Sequence, residues 1–162
     1  MLRPATIDDL PGVEALLARS YPRLLATAYP PSTLVMALPL IARAQPALLT
    51  GGTYSVLEAE DGTILAAGGW TVRGPQGDSV PGTAHVRHVV SDPDHLRAGN
   101  ARRVLHHVFA EARAAGAERL DCLSTLNAVP FYMRMGFQRL RPETIVLRPG
   151  ITFDAVAMRR PL

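Results

Sequence analysis

The stretch Val89-Val90-Ser91-Asp92-Pro93-Asp94-His95-Leu96-Arg97-Ala98-Gly99-Asn100-Ala101 decides how the chain reads. It leaves a strand predicted over Ala84 to Ser91, turns on Gly99 and enters a helix predicted from Asn100 to Ala115. Val104, Leu105, Val108, Phe109 and Ala112 form one apolar stripe on that helix, with Arg102, Arg103, His106, Glu111 and Arg113 off it. Gly116 supplies the C-cap. The first amides of such a helix have no internal partners and point one way, and the helix dipole adds positive character. A pyrophosphate fits there. Gly99 and Ala101 keep the approach free of side chains, and Arg97, Arg102 and Arg103 stand at its rim. On spacing alone, Gly99 serves equally well as an ordinary turn glycine.

Outward from this point the chain alternates short strands and helices. Upstream, Met1 to Pro4 suits a short strand. Thr6 and Asp9 suit a capping box, and Ile7, Leu10, Val13 and Leu17 recur at helical spacing to about Ser20. Tyr21 to Pro31 reads as a loop. A second helix runs from Ser32 or Thr33 to about Ala44, with Pro39 expected to kink or break it. Strands are predicted over Thr53 to Ala59 and Thr63 to Val72, joined by the hairpin signal Asp61-Gly62. Gly68-Gly69 inside the second marks a bulge or a close backbone approach. Arg73 to Thr83 reads as an exposed loop.

Downstream, Glu118 to Ser124 is a strand, and Asn127 can cap a short helix from Ala128 to Met135. Phe137 to Val146 and Thr152 to Met158 close the chain as strands, interrupted by Pro142 and Pro149-Gly150. The whole is a mixed α/β arrangement, residues 1 to 162 as a single domain. About seven strands form the central sheet and about four helices flank it. Ala84 to Ser124 should form a parallel strand–helix–strand crossover.

Composition narrows the function. The 162 residues are 48% hydrophobic and 19% charged, with a net charge of +3. The basic residues are mostly arginines scattered among acids, so no nucleic-acid stripe is expected. Cys122 is the single cysteine, which excludes an internal disulfide and fits a reducing compartment. No apolar leader follows Met1, and Leu34 to Ala42 is too short to span a bilayer, so a cytoplasmic protein without a membrane partner is expected. The five histidines lack zinc-site spacing, so no metal is expected. No Gly-x-Ser-x-Gly elbow exists for a hydrolase.

Pro93 to Ala101 resembles the acetyl-coenzyme A signature of the GNAT superfamily, Arg/Gln-x-x-Gly-x-Gly/Ala. Gly99 and Ala101 match it, whereas Leu96 stands where the family has Arg or Gln. Ser124 to Phe137 resembles the family's later motif, in which a tyrosine, here Tyr132, is followed after three residues by Gly-Phe. Arg3-Pro4-Ala5-Thr6 with Asp9-Leu10 resembles its usual opening.

The resemblance implies a GNAT-like acyl-CoA N-acyltransferase fold, and acetyl-CoA as cosubstrate for direct transfer to an amine. Val89 and Ser91 would hold the pantetheine arm, with Val90 near the oxyanion position. Arg97, Ala98, Gly99, Asn100 and Ala101 would cradle the pyrophosphate, and Arg102 would reach a phosphate. Asn127 matches a cofactor-arm position or is only a cap. Tyr132 matches the general acid, against the alternative of a ring packed on the sheet with its hydroxyl bonded to a loop. His88, with Val86 and Val90 on its face of the strand, reads as a base or as a hydrogen-bonded core histidine; Asp121 is a second base candidate. The acceptor is expected to be a small-molecule amine or amino acid, met by Tyr21 to Ser32, Trp70 to Thr83 and the last two strands. A protein acetyltransferase acting on N-termini or lysines, and a non-catalytic acyl-CoA-binding module, are the alternatives. The family also accommodates a homodimer.

Overall fold

In the computed structural model, which describes residues 1–96 and 98–162, hydrophobic alternation and helical stripes resolve into one seven-stranded mixed sheet. The strands are β1 (Leu2–Pro4), β2 (Tyr54–Glu58), β3 (Ile64–Thr71), β4 (Thr83–Ser91), β5 (Arg119–Thr125), β6 (Gln138–Arg148) and β7 (Ile151–Pro161). Their order in the sheet is β1-β2-β3-β4-β5-β7-β6. Among the described residues only β4 and β5 run parallel, because α4 (Asn100–Ala114) carries the chain back between them. No helix among the described residues is long and apolar enough to cross a membrane.

The sheet is covered on both faces. On one, Val104, Leu105, Val108, Phe109 and Ala112 of α4 are buried against β3, β4 and β5, together with α5 (Val129–Arg134). On the other, Val13, Leu16 and Leu17 of α1 (Leu10–Leu25) pack on Val56, Ala67 and Val90. The Thr6 amide donates to Asp9 Oδ2 at 2.8 Å, and Arg3 holds both oxygens of the same carboxylate, so the chain's first turn is fixed.

Several boundaries differ from the sequence expectation. The first helix does not end near Ser20 but runs through Pro22 to Leu25. Leu25 and Tyr29 are buried with Leu34 and Ala37 of α2 (Pro31–Ile41) and with Phe153, and this packing outweighs the hydrogen bond that Pro22 cannot make. Pro39 lies inside α2 without ending it. A fifth helix, α3 (Pro46–Thr50), was not expected; Pro46 starts it and Leu49 is its buried anchor. Pro142 does not interrupt β6, since β6 is the sheet's outer strand and an edge position needs no ladder donor there. Asn127 is not a cap: it sits in a 3-10 turn, Leu126–Ala128, ahead of α5.

Candidate functional site

Three register pairs join β4 to β5: Thr83 with Arg119, Ala84 with Leu120 and His85 with Asp121. Beyond them β4 continues to Ser91 and β5 to Thr125, but apart. The cause is local. Between the pairs Ala67–Val90 and Gly69–Arg87, the single residue Gly68 faces both His88 and Val89. This is a β-bulge, with His88 in the left-handed region at φ +52°. The bulge lies on β4, opposite the glycine pair that signalled it. It breaks the alternation, so Val86 faces α4 whereas Val90 packs under α1. The expectation that Val86, His88 and Val90 share one face is therefore corrected. β5 meanwhile follows β7, and a V opens between the two strands.

A cavity of about 990 Å³ fills the V and continues between α4 and α5. Val89, Val90, Ser91, Gly99, Asn100, Ala101, Arg102, Asn127, Tyr132 and His88 all line it. Ala98 does not, and its amide bonds weakly back to His95 at 3.4 Å. Arg97 lies outside the described residues. Gly99 holds φ +78°, and the first amide bonded within α4 is that of Arg103, to Gly99 at 2.9 Å. The amides of Asn100, Ala101 and Arg102 thus precede the ladder and border the cavity. Asn127 Oδ1 is buried there without a partner. Leu96, half-exposed, also borders it.

Asp92 anchors this turn to the body of the protein. Its carboxylate accepts from the Asp94 amide at 2.8 Å and from Arg19 Nε of α1 at 2.9 Å, and the residue is buried. Burial alone would raise its pKa, but these hydrogen bonds and the Arg19 charge hold it below the ordinary carboxylate range. A depressed folded pKa stabilises fully above the unfolded value and is lost as pH falls through the folded one. Asp92→Asn should therefore cost about 2–4 kcal/mol at neutral pH. The gap between the two melting temperatures should shrink as the buffer is taken from pH 6 to pH 3. A gap independent of pH would show that the carboxylate's charge is not what holds the turn.

Tyr132 and His88 both line this cavity. The Tyr132 ring is buried, edge-on to Phe137 at 5.3 Å, and burial, with Cys122 nearby, drives its pKa well above the ordinary phenol value. His88 is half-buried; burial, its largest influence, holds its pKa below the ordinary imidazole value. Tyr54 Oη donates to the His88 carbonyl at 3.0 Å and pins the bulge. Tyr21 stands edge-on to His88 at 6.2 Å, with its own pKa pushed up to about 12 by burial. Sequence reading assigned Tyr21 to a loop. The signal was present, since Leu17, Tyr21 and Leu25 continue the α1 stripe at intervals of four.

Asp121 stands elsewhere. It is held by Arg159 through two bonds of 2.6 and 2.9 Å and borders a second cavity, of about 530 Å³. His85, the loop residues Pro75, Gln76 and Asp78, and strands β6 and β7 also line that cavity. Val86, Cys122 and Leu123 border both cavities, so the two meet at the V. Cys122 is buried and its thiol pKa is pushed up by burial, as suits a core residue. Trp70 is buried too, with its indole N–H on Glu111 at 3.3 Å.

The model of the acetyltransferase (GNAT) domain matches residues 42–159. No curated protein matches the sequence. Among solved structures, a GCN5-related N-acetyltransferase from Rhodopseudomonas palustris is 19% identical with a TM-score of 0.77, covering 100% of this chain and 95% of that one. The PaiA N-acetyltransferase of Thermoplasma acidophilum, solved in complex with coenzyme A, is 13% identical at 0.74, covering 100% and 98%. The ribosomal-protein-S18-alanine N-acetyltransferase of Escherichia coli is 20% identical at 0.63, covering 99% and 92%.

Proposed function

The chain belongs to the GNAT acetyltransferase family, and on that premise we propose that it moves an acetyl group from acetyl-CoA to a small-molecule or amino-acid amine by direct attack. One observation carries the reading. One cavity extends through the V between β4 and β5, from the free amides that open α4 to Tyr132 of α5. A long, bent, polyanionic thioester carrier suits such a cleft. That the PaiA relative was solved with coenzyme A supports the same ligand.

Acetyl-CoA supplies the acyl carbon and a thiol leaving group. The amides of Asn100, Ala101 and Arg102 would hold its diphosphate, where helix-terminal donors favour negative charge. Gly99 and the Arg102 side chain complete that end. Main chain of Val89 and Ser91, on the side of β4 away from β3, would take the amide-bearing arm as a surrogate strand, with Val90 between them and the Asn127 side chain beside it. The Val90 amide faces Ala67 of β3, so a donor for the oxygen on which charge develops, as nitrogen bonds to the acyl carbon, would come from the bulge beside it. His88, kept neutral by burial, would accept the proton that the attacking amine must lose. As the carbon–sulfur bond breaks, Tyr132 would give its proton to the departing sulfur. Its raised pKa keeps that proton in place across the neutral range.

Titration calorimetry on the folded protein tests the first half. Acetyl-CoA and free CoA should both bind. Gly99→Val should weaken each at least about tenfold, because φ +78° is closed to a β-branched residue and the helix start must move. Absence of any heat with either ligand would remove the reading. Thiol release with a panel of amines tests the second half.

A further inference from the structure

Charge is unevenly divided between the two cavities. Arg102, Arg134 and Arg160 border the larger one with His88, His95 and His106, and among the described residues no Asp or Glu does. The chain has 14 acidic residues, so their exclusion from this surface is selective. Asp78, Asp121 and Glu143 all border the smaller cavity. The three arginines stand where the larger cavity runs between α4 and α5.

Arg160 is half-buried there without a carboxylate. Its Nε donates to the Met135 carbonyl at 2.9 Å and its Nη1 to the Pro161 carbonyl at 3.1 Å, and the guanidinium lies 4.1 Å over the Phe109 ring. Nη2 makes no bond among the described residues. Burial, the largest influence, and the neighbouring Arg113 charge hold its pKa below the ordinary guanidinium value. A cation so placed lacks a counter-ion. Gly136 makes room for it, since a Cβ at that position would lie 2.9 Å from Arg160 Nε. Arg134, the last residue of α5, is exposed and makes no side-chain bond among the described residues.

The α4 wall of this lobe is continuous. Arg102, His106 and Phe109 follow one another at helical spacing on one face. Arg102 Nε donates to His106 Nε2 at 3.3 Å, the His106 ring is edge-on to Phe109 at 5.8 Å, and Arg160 covers Phe109. At 1.5 Å per residue the wall runs roughly 13 Å from Asn100 to Phe109, room for a nucleoside beside it.

We propose that the lobe between α4 and α5 is a second anion site, in which Arg134 and Arg160 bind the phosphate monoester on the ribose of the donor's nucleotide. The inference rests on the acetyl-transfer reading above, which places the diphosphate on the first amides of α4. The ribose monoester is the one further charged group of CoA, and it carries a charge of about −1.5 to −2. It supplies the counter-ion that Arg160 lacks, through charge-assisted bonds to Nη2 and to Arg134. A thioester arm mounted on a carrier protein has no nucleotide and would leave the lobe empty. The donor is therefore the free CoA thioester, selected at the end of the molecule remote from the acyl group.

Titration calorimetry on the full chain compares CoA with 3′-dephospho-CoA, which keeps the arm and the diphosphate and lacks only the monoester. CoA should bind about 10–100 times more tightly, and the ratio should narrow as salt is raised. Arg134→Gln and Arg160→Gln should each lower CoA affinity about three- to tenfold while leaving dephospho-CoA within about twofold. Arg160→Lys should keep part of the preference. Melting curves check that the Arg160 variants fold; Arg134 is exposed, and the comparison of ligands on the wild-type chain needs no variant. Inorganic phosphate should compete with CoA more than with dephospho-CoA. Equal affinity for the two ligands, or a ratio unchanged in both Gln variants, overturns the proposal. Phosphate that binds together with CoA also overturns it, because the lobe then serves a separate anion. Failure of both CoA and dephospho-CoA to bind overturns instead the acetyl-transfer reading itself.

Discussion

Tyr132→Phe should lower kcat about 10²- to 10³-fold while leaving the affinity for CoA within about twofold. The substitution removes one oxygen from a side chain whose ring is fully packed, so the fold around it should persist. The ring touches Phe131 and Phe137, each at 5.3 Å, and belongs to the core that α4 and β5 share. Those contacts survive in phenylalanine. Tyr132 lines the cavity and lies near Cys122. A thiolate is a fair leaving group without help, so removal of the acid costs turnover without abolishing it. The loss should be larger with substrates whose amine is poor, because sulfur departure then limits the rate. Rapid quench of one turnover separates the chemical step from product release. A kcat within about threefold of wild type would reduce Tyr132 to a packing residue.

Much of this arrangement was legible in the chain itself. The α4 stripe fell where the 3.6-residue period put it, and each of its five apolar residues is buried. Gly99, read as the turn before the phosphate-binding amides, adopts the positive φ that justifies a glycine there. The hairpin at Asp61-Gly62 was visible because turn chemistry is local: Gly62 has φ +87°, and the Thr63 amide returns to Asp61 Oδ1 at 3.0 Å. What failed was tertiary in origin. The α1 stripe continues through Tyr21 and Leu25, but Pro22 argues against it locally; what decides between them is the cluster of Leu25, Tyr29 and Phe153, and Phe153 is more than a hundred residues away. The orientation of His88 was misread for a related reason. A bulge moves one residue out of the alternation, and Gly68-Gly69 announced a bulge without saying which strand would carry the extra residue. Asp121 could not be excluded as a base until its partner Arg159, on another strand, was in view.

Gly68 is where fold and site depend on the same missing atom, and Gly68→Val should cost both. A Cβ built at Gly68 would lie 2.8 Å from Val89 Cγ2, 2.9 Å from Val104 Cγ1 and 3.3 Å from Val89 Cα. Neither neighbour yields easily. Val104 is fully buried on α4, Val89 is held by the bulge, and both are β-branched with restricted χ1. A larger side chain must push α4 off the sheet or flatten the bulge at His88 and Val89. The expected cost is about 2–4 kcal/mol, near the upper end for overpacked cores, or a fall in melting temperature of about 5–15 °C. The same displacement moves Val89, Val90 and the start of α4, which together frame the cleft, so CoA affinity should fall at least about tenfold. Loss of binding could follow from unfolding alone, and Gly68→Ala separates the two. It makes the same contacts with fewer atoms and should stay folded at room temperature with affinity already reduced. The double variant Gly68→Ala/Val104→Ala relieves one of the two collisions. Its destabilisation should fall short of the sum of the single variants by about 1 kcal/mol, because the second change empties space that the first one needs. Strict additivity would place the strain elsewhere, and unchanged affinity in Gly68→Ala would separate the bulge from ligand binding.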